Sequence, residues 1–142
     1  MIIREFNIND YDSLIELWTK AQLPFKPKGR DRVERIKKEI NGNTSIFLVA
    51  EIEDKIVGSI FGSHDGRKGW INRLAVLPEY QNQGIATKLI KETEKRLSDI
   101  GIDIVACLIE NWNDKSMKFF ESKGYVKHTD IAYYTKRKNV DV

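Results

Sequence analysis

At 142 residues and 41% hydrophobic composition, the chain can build one sizeable core and carries no linker or composition shift, so it reads as a single domain over residues 1–142. Twenty-four basic against 21 acidic residues leave a formal net charge of +3, too mild for a dedicated nucleic-acid binder, and the KRK run at Lys136 to Lys138 reads as a solvated tail. No apolar run approaches the ~18 residues that span a membrane, and Met1 to Phe6 is too short and too charged for a signal peptide, so the expectation is a cytoplasmic protein without membrane or nucleic-acid partners.

Ile2 to Phe6 reads as a first strand. Asn9 or Asp10 can cap a helix in which Leu14, Ile15, Trp18 and Ala21 recur at helical spacing. The prolines of LPFKPKG, Leu23 to Gly29, stop it, and a second helix follows from about Asp31 with Val33, Ile36 and Ile40 on one face. Ser45 to Ile52 and Lys55 to Ser63 form an antiparallel pair joined at Glu53 and Asp54, and the Asp65-Gly66 turn leads into Trp70 to Leu77. A helix then keeps Ile85, Leu89, Ile90, Thr93, Leu97 and Ile100 on one side until Gly101 ends it. Ile102 to Ile109 reads as a buried strand, and a strand, helix, strand crossover of this length favours parallel pairing with Leu74 to Leu77. That strand holds Cys107, the only cysteine, which excludes an intramolecular disulfide or a thiolate zinc cluster and reads as a buried structural thiol. Ser116 to Ser122 makes a last helix stopped at Gly124, and Tyr125 to His128 with Ile131 to Lys136 is expected to close as a hairpin.

The chemistry concentrates in Leu74 to Ile90, LAVLPEYQNQGIATKLI, where an apolar strand ends at Pro78 and a short polar loop opens into a helix. Pro78 cannot donate to a ladder, and Gly84 lets neighbouring N–H groups approach a ligand. The first turn of a helix leaves four N–H groups unpaired and carries roughly half a positive charge, so a phosphate or pyrophosphate fits there.

Gln81, Gly84 and Ala86, the preceding LAV strand, Pro78 and the downstream NDKSMKFFESKGY of Asn113 to Tyr125 together resemble the GNAT (GCN5-related) N-acetyltransferases, over essentially the whole chain. The resemblance implies a mixed α/β acyltransferase fold with a central, mostly antiparallel sheet of about seven strands and about four flanking helices. It implies acetyl-CoA as acyl donor, no metal, an amine acceptor and a monomer or homodimer. Leu74, Ala75 and Val76 would pair their main chain with the pantetheine arm in a gap between splayed strands, with the Val76 amide polarising the thioester carbonyl. Asn82, Gln83, Gly84, Ile85, Ala86 and Thr87 would hold the pyrophosphate, Asn113 would hydrogen-bond the arm, and Ser116 would let it pass.

The chain departs from the family at the catalytic positions. Where many members place an acid tyrosine, seven residues after the asparagine, it has Phe120, leaving Tyr125, Tyr133 and Tyr134 as substitute acids that spacing does not rank. Where many carry a carboxylate base on the middle strand it has Asn72 and Arg73, which leaves Glu110 as the candidate base and His64 as a turn residue. In the family the Trp18 to Arg35 region and the closing hairpin line the acceptor pocket, and here Lys26, Lys28, Arg30, Arg32 and Arg35 gather positive charge that either draws an acidic acceptor or is a solvated face. The function expected is transfer of an acetyl group to a primary amine of a small molecule or peptide by direct attack in a ternary complex, the alternative being a non-catalytic acyl-CoA-binding sensor.

Overall fold

The computed structural model describes residues 1–142. Five strands form one sheet in the order β1 (Ile2–Glu5), β2 (Ser45–Ile52), β3 (Lys55–His64), β4 (Lys68–Val76), β5 (Ile104–Cys107), antiparallel throughout except for the parallel β4 and β5 pair. Four α-helices flank it: α1 (Tyr11–Lys20), α2 (Val33–Ile40), α3 (Ile85–Asp99) and α4 (Asp114–Ser122). This is a mixed α/β fold with the expected helices and two strands fewer than the seven anticipated.

Local chemistry accounts for most boundaries. The carboxylate of Asp10 does not cap α1; Asn7 caps a 3-10 turn over Ile8–Asp10, its side chain accepting from the Asn9 amide at 2.9 Å while Asp10 accepts from the Asn7 amide and pairs with Arg4. Glu53 and Asp54 both take positive φ, +50° and +63°, the primed turn whose twist matches an antiparallel pair. At the end of α3 the Ile102 and Gly101 amides donate back to the carbonyls of Leu97 and Ser98, closing the helix around a left-handed glycine.

The two faces of the sheet are covered differently. Trp18 of α1 donates to Ser59 of β3, whereas the alternate positions Gly58 and Gly62 face Ile85, Leu89 and Thr93 of α3. A Cβ at Gly62 would lie 2.7 Å from Thr93 and one at Gly69 would lie 2.5 Å from Leu97, so the glycines let α3 settle directly on the strands. Trp18, Leu14, Leu48, Ile60 and Leu89 are among the fully buried side chains of the core.

Two expectations are corrected. The strand after α3 is shorter than Ile102 to Ile109, and its partners are Lys68 to Ile71, not Leu74 to Leu77. The reason lies in β4, where Arg73 and Leu74 stand opposite the single residue Ile60 and Arg73 adopts φ +53°; this bulge bends β4 away from β5 and ends the parallel ladder at Ile71 and Cys107. The closing hairpin also does not form: beyond Tyr125 no residue lies in a strand, and Val126, Ile131, Tyr133 and Tyr134 are exposed. The Thr129-Asp130 link offers no glycine or asparagine for a tight primed turn, and β5 presents only four residues as a template for further pairing. The chain instead returns to the loop between α1 and α2, where Lys26 Nζ donates to the Val140 carbonyl and the Asp141 carbonyl sits on Gly29.

Candidate active site

The site grows from the bulge. Because the ladder stops at Ile71 and Cys107, β4 runs on through Leu74, Ala75 and Val76 with no strand on its β5 side, and Leu108, Ile109 and Glu110 leave β5 unpaired. Leu77 donates to the Val57 carbonyl at 2.9 Å, so Val57 and Leu77 are a hydrogen-bonded pair; Val76, opposite Gly58, therefore turns its N–H and C=O away from β3 and into the gap. The Val76 carbonyl there accepts from Gln81 Nε2 at 3.0 Å. The gap thus keeps one strand-end amide free.

Immediately after, Pro78–Tyr80 forms a 3-10 turn, Asn82 takes φ +63° and Gly84 takes φ +83° at the N-cap of α3. This double left-handed step has a countable consequence. None of the amides from Asn82 to Thr87 donates to a protein acceptor; the first α3 bond is Lys88 N–H to the Gly84 carbonyl at 3.1 Å. Six consecutive N–H groups therefore stand unpaired at the positive end of a 15-residue helix, and no carboxylate lies in its first turn. Asn82, Gln83 and Gly84 are exposed and a Cβ on Gly84 would meet nothing within 4 Å, so the loop is open to a ligand. The arrangement suits a polyanion.

Across the gap, Asn113 caps α4 by accepting from the Ser116 amide at 3.2 Å, which leaves its NH2 group free, and Ser116 is half-buried one turn in. Phe120 is 7% exposed and packs edge-on against Phe119 and Tyr125. Of the substitute acids, Tyr125 donates to Glu94 on α3 at 2.9 Å, and burial together with that carboxylate pushes its pKa well above the usual phenol range. Tyr133 and Tyr134 lie in the exposed C-terminal segment, tied to no site residue. Glu110 is exposed just past β5, where its carbonyl accepts from the Asn113 amide. His64 sits at the opposite end of β3 from the gap, its Nδ1 accepting from Gly66. Burial pushes the Cys107 thiol up to about 11, which leaves it protonated and unreactive near neutrality.

Sequence reasoning missed what supports the bulge. Arg73 donates to the Asp31 carboxylate at 2.6 Å and to the Pro24 carbonyl at 3.1 Å, and its guanidinium lies over the Trp18 ring at 5.5 Å. Its own carbonyl accepts from Ser59 Oγ at 2.9 Å, which accepts in turn from Trp18 Nε1 at 3.0 Å. Asp31 is only 5% exposed and also accepts from the Lys26 amide. An acid between two arginines in a basic loop looks like an ordinary surface residue in sequence, and no local pattern couples it to a strand 42 residues on.

The protein-family model described as Acetyltransferase (GNAT) family matches residues 11–125. Among solved structures, the chain is 26% identical to an aminoglycoside acetyltransferase from an uncultured soil metagenomic sample in complex with sisomicin, with TM-score 0.77 and 96% of each chain covered. It is 25% identical to the PaiA N-acetyltransferase from Thermoplasma acidophilum in complex with coenzyme A, at TM-score 0.78 over 91% of this chain and 92% of that one. An apo aminoglycoside 6'-N-acetyltransferase from Acinetobacter haemolyticus, 18% identical, superposes at TM-score 0.80 over 98% of this chain and 100% of its own, a likeness of fold.

Proposed function

Since that match spans well over half its length, the chain belongs to the GNAT acetyltransferase family, and we propose that it moves an acetyl group from acetyl-CoA to a primary amine of a small molecule or peptide by direct attack in a ternary complex. The observation that carries the reading is the row of six unpaired amides from Asn82 to Thr87 at the start of α3, a cradle for the pyrophosphate of the donor. The pantetheine arm would lie along Leu74, Ala75 and Val76 as an added strand, in the gap that the bulge opens, with Asn113 donating to it and Ser116 leaving it room.

In this reading the Val76 N–H, held outward by strand register, donates to the thioester carbonyl and stabilises the negative charge that grows on its oxygen as the amine nitrogen bonds to the carbon. One such fixed donor contributes about 3 kcal/mol to the barrier. The C–S bond then breaks. Phe120 supplies no proton and the Tyr125 phenol is bound to Glu94, so the sulfur leaves as thiolate, which a thiol pKa near ~8.5 permits. Glu110 is the candidate to take the proton from the attacking amine. An acceptor with a low amine pKa needs that help least: at ~8 an α-amine is partly neutral near pH 7.4, whereas at ~10.4 a lysine is about one part in a thousand neutral.

The buried Phe120 at the usual acid position also favours a second reading, an acyl-CoA sensor without turnover. The two separate in one preparation: titrate the protein with acetyl-CoA by calorimetry, then assay free CoA release against pooled amines. Binding with amine-dependent release supports the enzyme. Binding without release supports the sensor, and absence of binding removes both.

A further inference from the structure

We propose that the acceptor amine belongs to a molecule that also bears a carboxylate or phosphate, recognised by the basic segment between α1 and α2 that Arg73 fastens to β4. The inference rests on the acetyltransferase reading and names its substrate class.

That segment has a fixed place beside the reactive strand. Arg73, three residues before Val76, binds Asp31 and the Pro24 carbonyl, and Phe25 packs on Trp18 with ring centroids 5.7 Å apart. The amide cradle belongs to α3, which covers the other face of the sheet. With the donor entering from α3 and the β5 gap, the face of β4 walled by this segment is the side left for an acceptor.

Its charge is lopsided. The loop carries Lys26, Lys28, Arg30 and Arg32 against Asp31, and α2, which follows it, adds Arg35, Lys37 and Lys38 against Glu34 and Glu39. Asp31, the buried acid, is bound by Arg73 from outside the segment, and none of these basic residues forms a salt bridge. Elsewhere six cations do pair with a carboxylate, among them Arg4 with Asp10 and Glu51 and Arg96 with Glu5 and Glu92. Lys26 and Arg32 donate to the carbonyls of Val140 and Gly29, whereas the side chains of Lys28, Arg30 and Arg35 donate to no protein atom. Arg35 lies near the Glu39 carboxylate and Asp141 comes against Gly29, yet basic side chains still outnumber acidic ones here, and that excess produces a positive field over the approach to β4, which concentrates anions and repels polycations until salt screens it. A polycationic acceptor such as an aminoglycoside meets the wrong sign, and an amino acid or amino phosphate meets the right one.

The test uses the full chain with acetyl-CoA held saturating. Initial rates are measured for amino acids and phosphoethanolamine, for their uncharged amide and alcohol counterparts, and for spermidine and kanamycin, at 20 mM and 300 mM salt. The expected result is kcat/KM at least tenfold higher for an anionic amine than for its uncharged counterpart, poorer values for the polycations, and a preference that shrinks with salt. Arg30→Glu with Arg35→Glu, both exposed and unpaired, should remove most of that advantage through KM with kcat retained, while Lys91→Glu on α3 leaves it. Equal or better turnover of uncharged or polycationic amines overturns the inference, as does acetylation of none of the anionic amines or a preference untouched by the double charge reversal. If calorimetry detects no acetyl-CoA binding, the acetyltransferase reading itself falls and takes the inference with it.

Discussion

Removing Asp31 tests whether the bulge and the loop between α1 and α2 are one mechanical unit. Asp31→Ala takes away the carboxylate that Arg73 grips at 2.6 Å and the acceptor of the Lys26 amide, leaving a guanidinium whose side chain is 17% exposed without a counter-charge. Stranding one member of a buried pair costs about 3–5 kcal/mol. Arg73 keeps the Pro24 carbonyl and the face of Trp18, so the lower end applies, about 3 kcal/mol. At about 2.1 cal/mol/K of unfolding entropy per residue, a 142-residue chain loses roughly 10 °C in Tm. Arg73→Ala should cost a similar amount, because it strands a carboxylate that is 5% exposed in turn. The double variant strands neither charge, and its cost should fall near about 3 kcal/mol, well short of the sum of about 6. Denaturant unfolding of all four proteins supplies the cycle. Costs that add to within about 0.5 kcal/mol would refute a coupled pair, and an Asp31→Ala cost below about 1 kcal/mol would show that the loop does not depend on it. Arg73→Gly belongs in the series, since at φ +53° glycine relieves strain that alanine keeps, separating backbone from charge.

Gly84→Glu puts bulk and negative charge into the amide cradle and should weaken CoA binding at least tenfold by calorimetry, whereas Gly84→Ala, which shares the strain of φ +83° but not the charge, should weaken it less. Equal losses in both would assign the effect to the backbone. Phe120→Tyr should preserve or raise turnover, and a large loss would mean that the ring is needed for its packing on Phe119 and Tyr125. Tyr125→Phe should leave kcat within about threefold and cost about 1.5–3 kcal/mol in unfolding experiments, the usual worth of a hydrogen bond to a charged group; a hundredfold fall in kcat would instead make Tyr125 the acid. Cys107, pushed up to about 11 by burial, has a thiolate fraction near one in a thousand at pH 8, so iodoacetamide should label it far more slowly than an unfolded control. Because its folded pKa exceeds the unfolded ~8.5, the stability it contributes is complete below pH ~8.5 and is lost as pH rises toward 11. Cys107→Ala should flatten that part of the pH dependence of Tm.

The features legible in the sequence are those set by a few adjacent residues. Pro78, Gly84 and the apolar spacing from Ile85 to Leu97 specify strand end, left-handed turn and helix in one short run, and the amides from Asn82 to Thr87 are free because nothing local can reach them. The Glu53-Asp54 turn and the Gly101 stop were legible for the same reason. What escaped depends on partners far along the chain. The β4 bulge has no marker, since arginine at positive φ is disfavoured in isolation and holds here only through Asp31, Pro24, Ser59 and, behind Ser59, Trp18. The segment from Tyr125 to Lys136 alternates well enough to suggest two strands, but alternation specifies a face and not a partner, and β5 is cut to four residues by that same bulge.

One residue thus sets two features. The bulge at Arg73 sets the register with β3 that turns the Val76 amide into the gap beyond the last β4–β5 pair, and the Arg73 guanidinium draws the basic loop against the strand. The consequence is that cofactor geometry and acceptor electrostatics share a support, so substitutions at Arg73 or Asp31 should move the KM for the acceptor together with kcat. Substitutions at the exposed Arg30 and Arg35 should move the acceptor KM alone. A variant of Asp31 that altered acceptor KM with kcat intact would separate the two roles and assign the pair to the loop, leaving the bulge to Ser59 and Trp18.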